Sequence, residues 1–161
     1  MNIEIYTEIY KNRVADLILS IQTDEFNIPI TLERQPDLNE ISKYYQVDDG
    51  NFWIARVDKQ VIGTIALKDL GNKRGALRKM FVAKDYRGKV YGVGQMLLNS
   101  LIEWAKYKEI AEVFLGTTEK FNRAQRFYEK NGFIEIQKQE LPEEFPLMDV
   151  DVRFYKYSIC S

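Results

Sequence analysis

The 161-residue sequence predicts an α+β fold, a single domain built on a mixed sheet. Two neighbouring apolar runs, Phe52 to Val57 and Val61 to Leu67, read as an antiparallel hairpin closed by Asp58-Lys59-Gln60. A long amphipathic helix and a short apolar strand then alternate with a second helix and two final strands, which is the pattern of βαβ-like units. With 45% hydrophobic and 13% aromatic residues against 9 glycines and 4 prolines, the chain has the composition of a packed domain.

Each element follows from its local pattern. Ile3, Ile5 and Tyr6 open a strand, and Val14, Leu17, Ile18 and Ile21 recur at helical spacing between Ile9 and Ile21. Asp24 to Arg34 carries Phe26, Ile28, Pro29 and Ile30 without a period, so it reads as an ordered loop with an apolar side. A second helix starts at Pro36 and ends near Tyr45, and Leu77 to Val82 extends the sheet beyond the hairpin. The longest helix has Val90, Val93, Leu97, Leu98, Leu101, Ile102 and Ala105 on one stripe, which must lie on the sheet. Val113 to Leu115 is the next strand, and the helix after it, carrying Phe121, Ala124, Phe127 and Tyr128, stops at Asn131-Gly132. Phe133 to Ile136 and Val152 to Tyr157 finish the sheet, with Phe145-Pro146-Leu147-Met148 between them.

Composition removes whole reaction classes. The chain has no histidine, so Ser-His and Cys-His nucleophiles, imidazole bases and histidine zinc sites are excluded. The single cysteine, Cys160, cannot form an internal disulfide and fits a reducing compartment. No apolar run approaches the roughly 18 residues of a membrane span, and the start has no signal-peptide pattern, so a cytoplasmic protein without a membrane partner is expected. The formal net charge of −1 argues against nucleic acid as partner.

Charge is nonetheless uneven. Lys73, Arg74, Arg78, Lys79, Lys84, Arg87 and Lys89 face a single acid, Asp85, giving this stretch +6. Immediately afterwards Gly88, Gly92 and Gly94 lie between a strand and the start of the long helix. Free N–H groups and the helix dipole favour an anion there, and glycine lets the backbone approach it closely. A diphosphate cradle and a plain glycine turn both fit this spacing. Neither Gly-x-Gly-x-x-Gly nor a P-loop is present.

The strand Leu77-Arg78-Lys79-Met80-Phe81-Val82, followed by Arg87-Gly88-Lys89-Val90-Tyr91-Gly92-Val93-Gly94, resembles the phosphate motif Gln/Arg-x-x-Gly-x-Gly/Ala of the GNAT superfamily of acetyl-CoA-dependent N-acetyltransferases, with Lys89 in the Gln/Arg place. A second signature, aromatic-Tyr-Glu-Lys-x-Gly-Phe, is matched by Phe127-Tyr128-Glu129-Lys130-Asn131-Gly132-Phe133. The resemblance implies a bent mixed sheet of about seven strands flanked by four helices and splayed between strands 4 and 5. Acetyl-CoA would lie in the splay as co-substrate, with no metal. It implies cofactor contacts at Met80, Phe81 and Val82 and at Arg87, Gly88, Lys89, Val90, Gly92, Val93 and Gly94. Asn122 stands one position later than the family's asparagine, and Tyr128 matches the tyrosine that protonates the departing thiolate.

Tyr128 also lies on the apolar stripe of its helix, where a core tyrosine would look the same. Ala76 stands where many relatives have a glutamate base, which leaves Glu33, Glu119 or a chain of waters to deprotonate the acceptor. Residues 1 to 49 hold ten acids against four bases, and 140 to 151 hold five acids and no base. In this family those regions border the acceptor cleft, so the expected reaction is direct acetyl transfer to a primary amine of a small molecule, cationic if this field acts on it. A protein amine as acceptor, or an acyl-CoA sensor without turnover, are the alternatives. The resemblance also allows a homodimer.

Overall fold

The computed structural model describes residues 1–88, 90–119 and 121–159. Seven strands form one sheet: β1 (Asn2–Ile5), β2 (Asn51–Val57), β3 (Gln60–Gly71), β4 (Arg74–Val82), β5 (Glu112–Thr117), β6 (Ile134–Ile136) and β7 (Arg153–Ser158). Their order is β1-β2-β3-β4-β5-β7-β6, and every pairing is antiparallel except β4 with β5. The helices are α1 (Lys11–Leu19), α2 (Pro36–Asn39), α3 (Ile41–Tyr45), α4 (Val93–Tyr107) and α5 (Asn122–Lys130). The mixed sheet is thus as expected, with five helices rather than four because the segment after Pro36 breaks at Glu40, whose ψ of 54° leaves the helical region.

Side-chain alternation along β2 sets the two layers. Trp53 and Ala55 face the α4 side, where Leu97, Leu101 and Ala105 pack with Ile65, Leu67 and Leu115, while Phe52 and Ile54 face Val14, Ile18, Leu38 and Tyr45 on the other side. Both faces of the central strands are covered, which explains their near-continuous apolar sequences.

The hairpins differ from expectation in length. β2 and β3 are joined by a two-residue turn, with Val57 opposite Gln60 and Asp58 at φ +52°. β3 and β4 run on to Gly71 and Arg74, joined by Asn72 and Lys73, both at positive φ, the backbone of a tight hairpin turn that matches strand twist. At its other end, α1 runs into a wide turn in which the Phe26 N–H donates to the Ile21 carbonyl five residues back. Val90 does not belong to α4: it is 92% exposed, and the helix starts at Val93 after Gly92 in a left-handed conformation.

The basic stretch is also dispersed. At about 3.3 Å per residue a strand separates Arg74 from Val82 by roughly 25 Å. Arg74 therefore lies at the far end of β4, paired with Glu144 at 3.3 Å, and takes no part in a cluster near the glycines.

Leu97 is fully buried at the centre of the α4 interface. Replacing it with alanine is expected to cost about 2–5 kcal/mol, read as a lower urea midpoint with an unchanged denaturant slope.

Candidate active site

The parallel pairing of β4 with β5 covers only Arg74–Ala76 against Glu112–Phe114. From Leu77 onward β4 has no neighbour on that side, and neither do Leu115, Gly116 and Thr117 of β5. The gap opens into a cavity of about 690 Å³ that runs from the start of α4 to the loop before β7.

A bulge in β4 fixes the shape of this gap. Thr64 lies opposite Phe81 but Ala66 opposite Arg78, so Ile65 alone faces Lys79 and Met80. Lys79 takes φ +52°, and its carbonyl accepts a 2.6 Å hydrogen bond from Thr64 Oγ1. The Lys79 side chain is buried with a chain of polar partners. Its Nζ donates to Gln35 Oε1 at 2.5 Å and lies 3.5 Å from Asp37 Oδ2, which also accepts from Tyr45 OH at 2.5 Å. Gln35 and Gln22 exchange two hydrogen bonds, and Arg78 donates to Tyr44 OH at 3.1 Å. Burial pushes the Lys79 ammonium down to about 8, and burial likewise raises the Tyr45 hydroxyl well above its ordinary range.

On the α4 side, Gly88 (φ +101°) and Gly92 (φ +62°) make the turn, a conformation that favours glycine. Met96 N–H donates to the Gly92 carbonyl at 3.0 Å as the helix opens, and among the described residues the N–H groups of Gly94 and Gln95 have no main-chain acceptor. Gly94 packs closely on β4: a Cβ there would lie 3.3 Å from Met80 Cε. These donors at the positive end of a helix suit the diphosphate of a coenzyme A group.

Most of the expected contact residues converge on this cavity. Met80, Phe81 and Val82 form its β4 wall, Gly88, Gly92 and Gly94 its turn, and Asn122 and Tyr128 its α5 wall. Two turn their side chains away from it. Val93 turns its side chain into the core and Val90 points to solvent, which leaves only their main chain for a ligand, while Lys89 lies outside the described residues. Arg87 lines the cavity but is engaged, with both terminal nitrogens on Glu25 and Nε donating to the Val82 carbonyl at 2.8 Å. The hydrogen bonds from Arg87 hold the Glu25 carboxyl below its usual range.

Tyr128 is both a core residue and a cavity residue. Its ring contacts Phe127, Phe133 and Tyr155, it is 4% exposed, and its hydroxyl makes no hydrogen bond among the described residues. Burial raises its pKa, so the hydroxyl stays protonated at neutral pH and available as a donor.

The loop and the segment before β7 close the other end. Ile28, Ile30 and Phe145 are buried in the core yet also line the cavity, and Phe26 meets Phe121 edge-on at 4.8 Å across its top. Glu33 and Glu119 are exposed and do not line it. Several lining residues had no sequence signal as site residues, among them Gln22, Arg123 and Arg126. Asp151 was visible only as one acid among five. Among the described residues no cluster of three or more potential ligands could hold a metal, and no helix is long and apolar enough to cross a membrane.

The model of the acetyltransferase (GNAT) family matches residues 15–133. The chain belongs to the GNAT acetyltransferase family. A GNAT-family acetyltransferase from Staphylococcus aureus Mu50 superposes with a TM-score of 0.95 at 44% identity, covering 99% of both chains. The PaiA N-acetyltransferase of Thermoplasma acidophilum, crystallised with coenzyme A, shares the fold at 20% identity and a TM-score of 0.72, over 98% of this chain and 99% of that one. N-acetylaspartate synthetase of Xenopus tropicalis is 34% identical over 101 residues, 60% of this chain and 36% of its own length. The GNAT chain described here therefore spans little more than a third of that relative.

The buried lysine gives a pH-dependent signature. Its ammonium titrates near 8 in the folded chain and near 10.4 unfolded, so between those values the unfolded state holds more protons and stability rises with pH. Relative to Lys79→Met, the wild type should gain stability between about pH 8 and 10.4, with a constant difference below pH 8. Urea midpoints of the two proteins across that range check it.

Proposed function

We propose that residues 1–161 work as one GNAT-like domain that transfers an acetyl group from acetyl-CoA to a primary amine of a small molecule, by direct attack within a ternary complex. The observation that carries this reading is one continuous cavity joining the unpaired N–H groups that open α4, the free edge of β4 and the Tyr128 hydroxyl. The relatives' names support it: one is a coenzyme A complex, and another is a synthetase of an N-acetylated amino acid.

The roles follow from position. Main-chain donors of Gly94 and Gln95 hold the diphosphate, and the free edge of β4 holds the pantetheine arm. A β4 N–H at Met80 or Phe81 polarises the thioester carbonyl, a fixed dipole worth about 3 kcal/mol of barrier lowering. Tyr128 gives its proton to the departing thiolate. Acetyl-CoA supplies the activated acyl group, and no residue need carry it covalently.

Two measurements test the reading. Calorimetry should register coenzyme A binding at micromolar to millimolar ligand, and silence at millimolar coenzyme A overturns the proposal. Tyr128→Phe keeps the ring contacts and removes only the hydroxyl. It should lower turnover roughly 100-fold with little change in coenzyme A affinity or in melting temperature. Undiminished turnover would make Tyr128 a packing residue. Thiol release absent with every amine, despite coenzyme A binding, would mark a sensor.

A further inference from the structure

One carboxylate, Asp151, is among the described residues that line the cavity, and every other charged one is basic. Its placement is specific. Asp151 ends a turn in which its N–H donates to the Met148 carbonyl at 3.0 Å. The next residue, Val152, donates its N–H to the Thr117 carbonyl at 3.0 Å, fixing the segment to the part of β5 that has no β4 partner. The carboxylate then lies over Gly116: a Cβ built there would stand 2.7 Å from Asp151 Oδ2 and 3.0 Å from Cγ. Gly116 is thus the space that lets a carboxylate occupy the β5 side of the gap. Arg78 and Lys79 act on it from β4, with Asp37 behind Lys79.

We propose that Asp151 is the base of the acetyl transfer, taking a proton from the ammonium group of the acceptor. The assignment rests on the acetyl-transfer reading above. It fills the role left open by Ala76, which is fully buried. The ammonium gives one proton to the Asp151 carboxylate, which later releases it to solvent. The freed amine forms the nitrogen–carbon bond as the carbon–sulfur bond breaks. The sulfur takes the Tyr128 proton, and Tyr128 recovers a proton from the second one the nitrogen sheds. The products are an amide, a thiol and one proton in solution.

Burial raises the Asp151 pKa, while a hydrogen bond with the Met148 backbone and the charges of Arg78 and Lys79 oppose that rise. A carboxylate with a raised pKa is a better base towards an ammonium than an ordinary one. Activity should therefore fall as pH drops through the Asp151 pKa.

The test uses the full chain, acetyl-CoA, and whichever of L-aspartate, L-glutamate, spermidine or a lysyl peptide releases thiol fastest. For Asp151→Asn, kcat/KM should drop at least 100-fold at pH 7 and then climb with pH toward the acceptor's own pKa, because only amine already free in solution reacts. The wild type should level off at lower pH. Asp151→Glu should recover part of the loss, and Gly116→Ala, which pushes the carboxylate aside, should lower kcat about tenfold, each with unchanged coenzyme A binding by calorimetry. Asp151→Asn with kcat/KM within threefold of wild type and the same pH profile overturns the inference. If Asp151→Asn fails to fold, the Asp151→Glu profile decides: an acidic limb coincident with the wild type overturns it, and a displaced limb supports it. If wild type binds coenzyme A but releases no thiol with any of the four, the acetyl-transfer reading itself falls and takes this inference with it.

Discussion

The molecule depends on two parallel strands parting after three residue pairs. A sheet that stayed closed would satisfy the main-chain groups of Leu77 to Val82 internally, and those groups would be lost to a ligand. The separation is held from both sides. On β4, the bulge at Lys79 and Met80 turns the strand, and the Thr64 hydroxyl pins the bulged carbonyl. On β5, the pairing with β7 continues through Thr117 opposite Arg153, so that strand keeps its course as its neighbour leaves. Non-glycine residues at positive φ cost energy and persist where the surroundings over-determine them. Here the surroundings are the buried partners Gln35 and Asp37, which hold the Lys79 side chain from the opposite layer.

Those partners also divide the cavity chemically. The α4 end offers main-chain donors and the α5 arginines, an environment for an anion. The opposite end combines apolar walls from Ile28, Ile30 and Phe145 with one carboxylate and two cations from neighbouring β4 positions. Most of the acids counted in the sequence lie on the outer surface instead, where Glu4 pairs with Arg56 and Glu144 with Arg74. Exposed pairs of this kind contribute little to stability and project only a screened field into the gap.

Much of this was legible in the sequence because it is written in short-range patterns. The α4 stripe, the hairpins and the run Phe127 to Phe133 each carry their signal within a few residues. Glycine spacing likewise marked the turn at Gly88 and Gly92, where φ is positive at both residues. What could not be read depends on long-range packing. Lys79 belongs to a strand whose neighbouring residues are regular, and its left-handed φ follows from pairing with Ile65 and from partners more than forty positions away. Val90 was drawn into the helix stripe by its spacing alone, whereas the left-handed Gly92 starts the helix three residues later. Asp151 is separated by 35 positions from the glycine that makes room for it, and a count of acids does not distinguish it from its neighbours.

The clasp between Arg87 and Glu25 ties the glycine turn to the wide turn that follows α1. One guanidinium thereby anchors both turns, with its carbon over the Phe26 ring at 5.6 Å from the centroid. A change at position 87 is in consequence never local to one turn, and a shift in apparent ligand affinity after such a change reports the loosened joint as much as any lost contact.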